Sequence, residues 1–219
     1  MHKELPDKIY IQLPHTKQRY NWDCGVACVL MVLPKHHQQA LAKNLLSISK
    51  DEGFYKRFVL FTETIRGGAR IFTVTVGIDP GYHTNTFYNH IIVKDEERIR
   101  RRFNDANKNG IMVHNRSLMM SSILRHLVRG PAIMLINAKL LVCDTCKTNK
   151  LSMEFRQCIP WSTSYQGHYI ILCGYNLHRR KIYYRNPSLT NRVCITSIDR
   201  LEDAWRSYGT DDDLILIYP

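Results

Sequence analysis

Apolar and polar positions divide the chain into a helical first part and a strand-rich second part. The arm Ile9-Tyr10-Ile11-Gln12-Leu13-Pro14 alternates like a short strand and stops at proline. Asp23 precedes an apolar stretch over residues 24–33 that ends before Pro34, with Val26, Leu30 and Leu33 at helical spacing. Asp23 or Asn21 could cap that helix, and capping is the simpler role for Asp23. A second helix is expected over 37–48, with Leu41, Leu45 and Ile48 as its apolar stripe. Residues 58–65 fit a helix or a strand, Gly67-Gly68 interrupts them, and 70–76 alternates as a strand. Residues 95–107 read as a helix burying Ile99 and Phe103, followed by strand-like Ile111-Met112-Val113. Residues 117–128 form a further amphipathic helix stopped by Gly130-Pro131. The pattern then turns to β, with apolar runs at 132–137 and 139–142 and strands at 169–173, 181–184 and 214–218. Helices first and a largely antiparallel sheet later read as α+β. With no repeat, low-complexity tract or Gly/Ser linker, a single domain over residues 1–219 is expected.

Charge changes the picture little. The formal net charge of +12 would suit a polyanion binder. Part of the excess, however, lies in a mixed run where Arg98, Arg100, Arg101 and Arg102 interleave with Asp95, Glu96, Glu97 and Asp105, the pattern of a solvated helix face. No nucleic-acid motif accompanies it, so specific nucleic-acid binding is not expected. No apolar run reaches membrane-spanning length, and Met1 to Lys8 lacks the apolar core of a signal peptide. The expected location is the cytoplasm, with the nucleus open, and no membrane partner.

Seven cysteines, an odd number without a secretory signal, read as thiols or metal ligands rather than a disulfide framework. Cys143-x2-Cys146, with Cys158 further on, could hold structural zinc. A fourth ligand is not obvious, although Cys194 or a histidine could come from elsewhere, and free thiols are the preferred reading. No cofactor is therefore expected.

One cysteine stands apart. Cys24 falls at the predicted N-terminus of an apolar helix, where free backbone N–H groups and the helix dipole favour a thiolate. Gly25 would let a carbonyl approach the backbone closely. The alternative is a small buried core thiol. Gln18, six residues earlier in a polar segment, could donate its amide to an oxyanion beside the Cys24 N–H. His168 opens one predicted strand and Asn186 ends the next. A hairpin turning near residue 177 would set them side by side to within about two residues of register. A cysteine, a histidine base and an orienting asparagine form the thiol version of the catalytic triad. Cys28, one helical turn after Cys24, reads as core, and Tyr20 and Trp22 either line a cleft or pack.

Gln18-x5-Cys24-Gly25-x2-Cys28, then Gly167-His168-Tyr169 and Asn186-Pro187, resembles the C39-like branch of papain-like cysteine peptidases. More closely, the chain resembles the guanylyl cyclase domain-containing and plant guanylyl cyclase family. The segments that carry this are Tyr20 to Cys28, Val76 to Tyr82, Tyr165 to Asn176 and Ser207 to Asp213; residues 50–72 and 147–163 do not contribute. The resemblance implies a papain-like fold, with the catalytic cysteine at a helix N-terminus and a C-terminal antiparallel sheet. On the residues, the expected activity is that of a peptidase or amidase with an acyl-enzyme at Cys24, acting on a peptide or protein. The family name implies an alternative: a guanylyl cyclase converting GTP to cyclic GMP with Mg²⁺ or Mn²⁺, for which Asp211-Asp212-Asp213 could hold a metal but reads more simply as a solvated acidic turn. A non-catalytic binding module on the same fold is the third reading.

Overall fold

The computed structural model describes residues 4–21, 23–35, 38, 68–76, 101, 105–106, 108, 112–146 and 165–218. Among them the elements run β1 (Lys8–Tyr10), α1 (Cys24–Val32), β2 (Ala69–Thr73), β3 (Met112–Asn115), α2 (Met120–Leu127), β4 (Ala132–Asn137), β5 (Gly167–Asn176), β6 (Lys181–Arg185), β7 (Cys194–Ser197), α3 (Ile198–Trp205) and β8 (Leu214–Ile217). The strands form one sheet in the order β3-β2-β8-β4-β5-β6-β7, with β1 also paired to β5. Every pairing is antiparallel except β2 with β3.

The central strands are apolar on both sides because both sides are covered: β4 (AIMLIN) and β8 (LILI) are buried at every position. Alternation along each strand then builds two cores. On one face Met134, Ile136, Ile170 and Leu172 meet α2 and α3, which contribute Ile123, Leu127, Leu201 and Trp205. On the other, Ile133, Leu135, Tyr169 and Ile171 meet α1 through Cys24, Cys28, Val29 and Met31. Buried residues of α1 fall all round it, from Cys24 through Val29 to Met31, as befits a helix enclosed by the fold rather than laid on its surface.

At ten residues, β5 is the longest described strand and organises the rest. Its first half pairs with β4, and its second half pairs on the same edge with β1. The ladder to β6 is irregular between Leu172 and Gly174. There Gly174 takes φ +152°, and a Cβ on it would lie 2.1 Å from the Ile9 carbonyl oxygen. Only glycine lets β1 come this close.

Several expectations shift. The helix over 117–128 is the shorter α2, and the strand over 70–76 is β2, ending at Thr73. Residues 139–142 are not a strand: the Asn137 side chain accepts from the Lys139 N–H at 3.1 Å and its carbonyl from Leu140 at 3.0 Å, turning the chain out of β4. β7 and α3 are not among the expected elements, although Ser197 caps α3 by accepting from the Arg200 N–H and Ile198, Leu201 and Trp205 follow at helical spacing. The helix expected over 37–48, the segment 58–65 and most of the helix over 95–107 lie outside the described residues.

Candidate active site

Cys24 is the first residue of α1 and is buried. Asp23 holds the N-cap position, but its side chain makes no capping hydrogen bond to the helix. Its carboxylate instead turns back and accepts from the Arg19 and Tyr20 N–H groups, each at 3.0 Å. Asp23 therefore folds the 19–23 loop, and the amides of the first turn of α1 keep no side-chain partner from it. The Asp23 charge also adds to the pressure against a Cys24 thiolate.

Burial pushes the Cys24 thiol above its ordinary pKa; hydrogen bonding from the backbone at Tyr169, Gly25 and Cys24 itself pulls the other way without offsetting it. The low thiol pKa expected from helix position alone is thus overridden by desolvation. Cys28, fully buried one turn on, donates its thiol to the Tyr169 carbonyl at 3.4 Å and is a core residue, as its spacing suggested.

The same strand carries His168. Its Nε2 lies 2.9 Å from Asn186 Oδ1, so the Nε2–H tautomer donates to the amide and leaves Nδ1 as the basic nitrogen. Asn186 Oδ1 is itself fixed by Ser188, accepting from the backbone N–H at 3.0 Å and the hydroxyl at 2.7 Å. Serine at 188 therefore belongs to the site, though the sequence reading did not single it out; its only signal was the Asn-Pro-Ser turn. The register is two residues from direct pairing, within the margin expected. Ile171 pairs with Arg185, so Asn186 falls past the end of β6 nearest Ile170, and reaches His168 diagonally rather than directly across. Desolvation lowers the His168 pKa below the ordinary imidazole value, and the Asn186 bond opposes this.

The two halves meet at Tyr169: its backbone serves the Cys24 sulfur, and His168 is the residue before it. Among the described residues no hydrogen bond joins Cys24 to the imidazole, so Cys24 and His168 are neighbours through β5 rather than a formed pair.

Gln18 is held to the Asn186 side of the site. Its N–H donates to the Pro187 carbonyl at 2.9 Å, while His15 Nε2 meets the Leu189 carbonyl at 3.0 Å and Arg185 donates to the Leu13 carbonyl at 3.1 Å. Its side-chain amide donates to the Tyr20 carbonyl at 2.8 Å, and its Oε1 is buried without a partner among the described residues. One N–H of that amide remains for another acceptor. Tyr20 is largely exposed; Trp22 lies outside the described residues.

The acidic turn is neither a simple solvated cap nor a convergent ligand set. Asp211 accepts from the Thr75 hydroxyl at 3.2 Å, Asp212 from Arg206 at 3.1 Å, and Asp213 is hydrogen-bonded by the Thr73 and Tyr169 side chains. Desolvation and its acidic neighbours raise Asp213 to about 8. A carboxyl bonded to the side chain of the residue after His168 was not anticipated. Two of the family-like segments, Tyr165 to Asn176 and Ser207 to Asp213, meet near this point, since the Tyr165 ring also packs against Gly167 and Gly209.

Comparison with known proteins gives the family and the fold. The sequence profile described as guanylylate cyclase matches residues 13–217. The chain belongs to that family. It is 28% identical over 221 residues to Guanylyl cyclase 1 of Arabidopsis thaliana, covering 97% of this chain and 78% of the relative. In fold it is similar to a Bacillus anthracis protein assigned as a C39-like peptidase, with a TM-score of 0.52 at 12% identity over 98% of both chains. This family member therefore has the mixed α+β, papain-like fold of a C39-like peptidase. None of its helices is long and apolar enough to cross a membrane, among the described residues.

Proposed function

We propose that the chain is a papain-like cysteine hydrolase acting on a peptide or amide bond through Cys24, His168, Asn186 and Gln18. The observation that carries this is the His168–Asn186 hydrogen bond on a strand whose next residue contacts the Cys24 sulfur at a helix start. With the thiol pKa raised and the imidazole pKa lowered, the resting pair is neutral. His168 Nδ1 takes the Cys24 proton as sulfur attacks the substrate carbonyl carbon, and Asn186 steadies the imidazolium. The new oxyanion is met by the Cys24 N–H and the free N–H of Gln18. Collapse of the tetrahedral species breaks the C–N bond, and His168 returns the proton to the departing amine. Water, deprotonated by His168, then hydrolyses the thioester and regenerates the thiol.

A second reading rests on the family's name and on the name of the plant relative: conversion of GTP to cyclic GMP. The acidic turn at 211–213 is where a divalent cation would be sought under that reading, with Mg²⁺ or Mn²⁺ as the candidate ion. Its carboxylates are each committed to a different protein group, which favours the thiol reading. A papain-like shell used only for binding would need neither chemistry.

The deciding experiment measures iodoacetamide alkylation of Cys24 against pH, by peptide mass spectrometry, in wild type and His168→Ala, beside a metal-dependent GTP assay on the same preparations. Faster alkylation of Cys24 than of Cys28, slowed at least tenfold by His168→Ala, supports the hydrolase. Cyclic GMP formation that survives Cys24→Ala supports the cyclase instead.

A further inference from the structure

Beyond the site at Cys24, we infer that Cys143, Cys146 and Cys194 bind one zinc ion through three thiolates, pinning the 143–146 turn to the start of β7. The Sγ atoms of these residues lie within 4.8 Å of one another, and no other group of three or more Cys, His, Asp or Glu donors does so among the described residues. All three are buried, at 1%, 2% and 0% exposure, so a cation there would be closed off from water on the thiol side. Cys146 and Cys194 are 3.9 Å apart at sulfur. Two sulfurs bound tetrahedrally at about 2.3 Å from zinc stand about 3.8 Å apart, whereas a disulfide needs about 2.05 Å. The Cys146–Cys194 spacing fits two ligands of one metal as well as it fits a thiol–thiol hydrogen bond, and it excludes a disulfide.

The turn is built to hold that geometry before any ion arrives. The Asp144 N–H donates to the Ile195 carbonyl at 2.8 Å, joining the turn to β7 next to Cys194. Its carboxylate pairs with Lys181 at 2.6 Å and reaches Arg200 at 3.8 Å. The Thr145 hydroxyl lies 3.1 Å from Cys143 Sγ, and Arg192 Nη1 donates to Cys146 Sγ at 3.7 Å. These are outer-shell contacts to the sulfurs, and the arginine offsets the single negative charge that three thiolates leave on a divalent ion. Two ligands come from a CxxC turn and the third from a strand start, a spacing shared by structural zinc sites. The fourth tetrahedral position belongs to a donor beyond these three.

The place of the site assigns its role. Cys194 pairs with Tyr184 and Tyr184 with Leu172, on the α2–α3 face of the sheet, whereas Cys24 packs on the other. The ion is structural and takes no part in chemistry at Cys24.

Zinc content of the purified chain by mass spectrometry, with zinc-edge X-ray absorption, tests this. About one zinc per chain is expected, with three or more sulfurs at about 2.3 Å. Cys143→Ser and Cys194→Ser should each lose most of the metal, and Cys173→Ala, a buried thiol outside the cluster, should keep it. A strong chelator should lower the wild-type melting temperature by more than about 5 °C. A chain that stays metal-free when refolded with zinc, a zinc edge showing only oxygen and nitrogen, or a Cys146–Cys194 disulfide in freshly prepared protein would overturn the assignment. If the serine variants do not fold, the wild-type absorption edge alone decides.

Discussion

Two groups of cysteines lie on opposite faces of the sheet, and they differ in what surrounds the sulfur. Cys24 is a single thiol with backbone groups of α1 and β5 around it and a histidine one residue from its contact. Cys143, Cys146 and Cys194 have chiefly one another. A thiol among N–H donors and beside a base is arranged to give up its proton for the duration of a reaction. Thiols among thiols are arranged to share a cation that replaces their protons for good. Burial is common to both sites and says nothing about which is reactive; the identity of the neighbours does.

The sharpest way to break this contrast is to remove one sulfur from each face. Cys24→Ala should abolish hydrolysis, by at least about a thousandfold, because no other group replaces the nucleophile. Its melting temperature should move by no more than a few degrees. Cys194→Ala should act on the other axis, lowering the melting temperature and abolishing any response to a chelator. If Cys24→Ala unfolds the chain while retaining turnover in what remains folded, Cys24 is a core thiol and the contrast fails.

His168→Ala comes next, with an expected loss of about 10²–10⁴ in kcat/KM on a peptide substrate. The pH profile carries more than the magnitude. Because the His168 pKa is lowered, the neutral base persists into mildly acidic solution, so the acid limb should lie somewhat below the usual imidazole value of about 6.5. The raised thiol moves the alkaline limb upward. An acid limb several units lower, as a resting thiolate–imidazolium pair would give, would show that the closed site differs from this neutral one. Asn186→Ala should cost about 10–100-fold, the worth of one hydrogen bond to a charged ring at roughly 1.5–3 kcal/mol.

Much of the Cys24 site is legible in the sequence, and the reason is local. The helix start, the strand opening at His168 and the strand end at Asn186 are each fixed by a few neighbouring residues. The details decided by packing are not. The low pKa expected of Cys24 needed only its place on a helix, but its burial depends on Tyr169, far away in sequence. The hairpin register sits two residues from direct pairing because the turn centres between residues 178 and 179 rather than at 177, and the irregularity between Leu172 and Gly174 takes back one residue of that offset. Asp213 looked like part of a polar turn, and only the partnering of β8 with β4 and β2 brings it to Tyr169. The thiol cluster was half visible as a CxxC, its third sulfur lying 48 residues on from Cys146.

A lesion in the shared strand should reach both faces. Gly174→Ala places a Cβ 2.1 Å from the Ile9 carbonyl oxygen at φ +152°. Relief requires β1 to withdraw, at about 1–3 kcal/mol, read as a lower denaturation midpoint with an unchanged slope. Loss on one face alone would mean that the sites do not depend on the continuity of β5.

The smallest effect confines itself to the Cys24 face. Asp213 is raised from 3.8 to about 8 in the folded chain. Below both values the group is protonated folded or unfolded and contributes nothing to the pH dependence. As pH climbs from about 4 to 8 the unfolded chain releases the proton while the folded chain retains it, so stability falls across that window and levels off above it. Asp213→Asn removes the titration but keeps a group of similar shape that can hydrogen-bond Tyr169 and Thr73. The variant should therefore lose less melting temperature than wild type between pH 5 and pH 8, with zinc content unaltered. A wild-type curve that matches the variant over that range would mean that Asp213 is ionised in the folded chain, and that the floor beneath Tyr169 is charged rather than neutral.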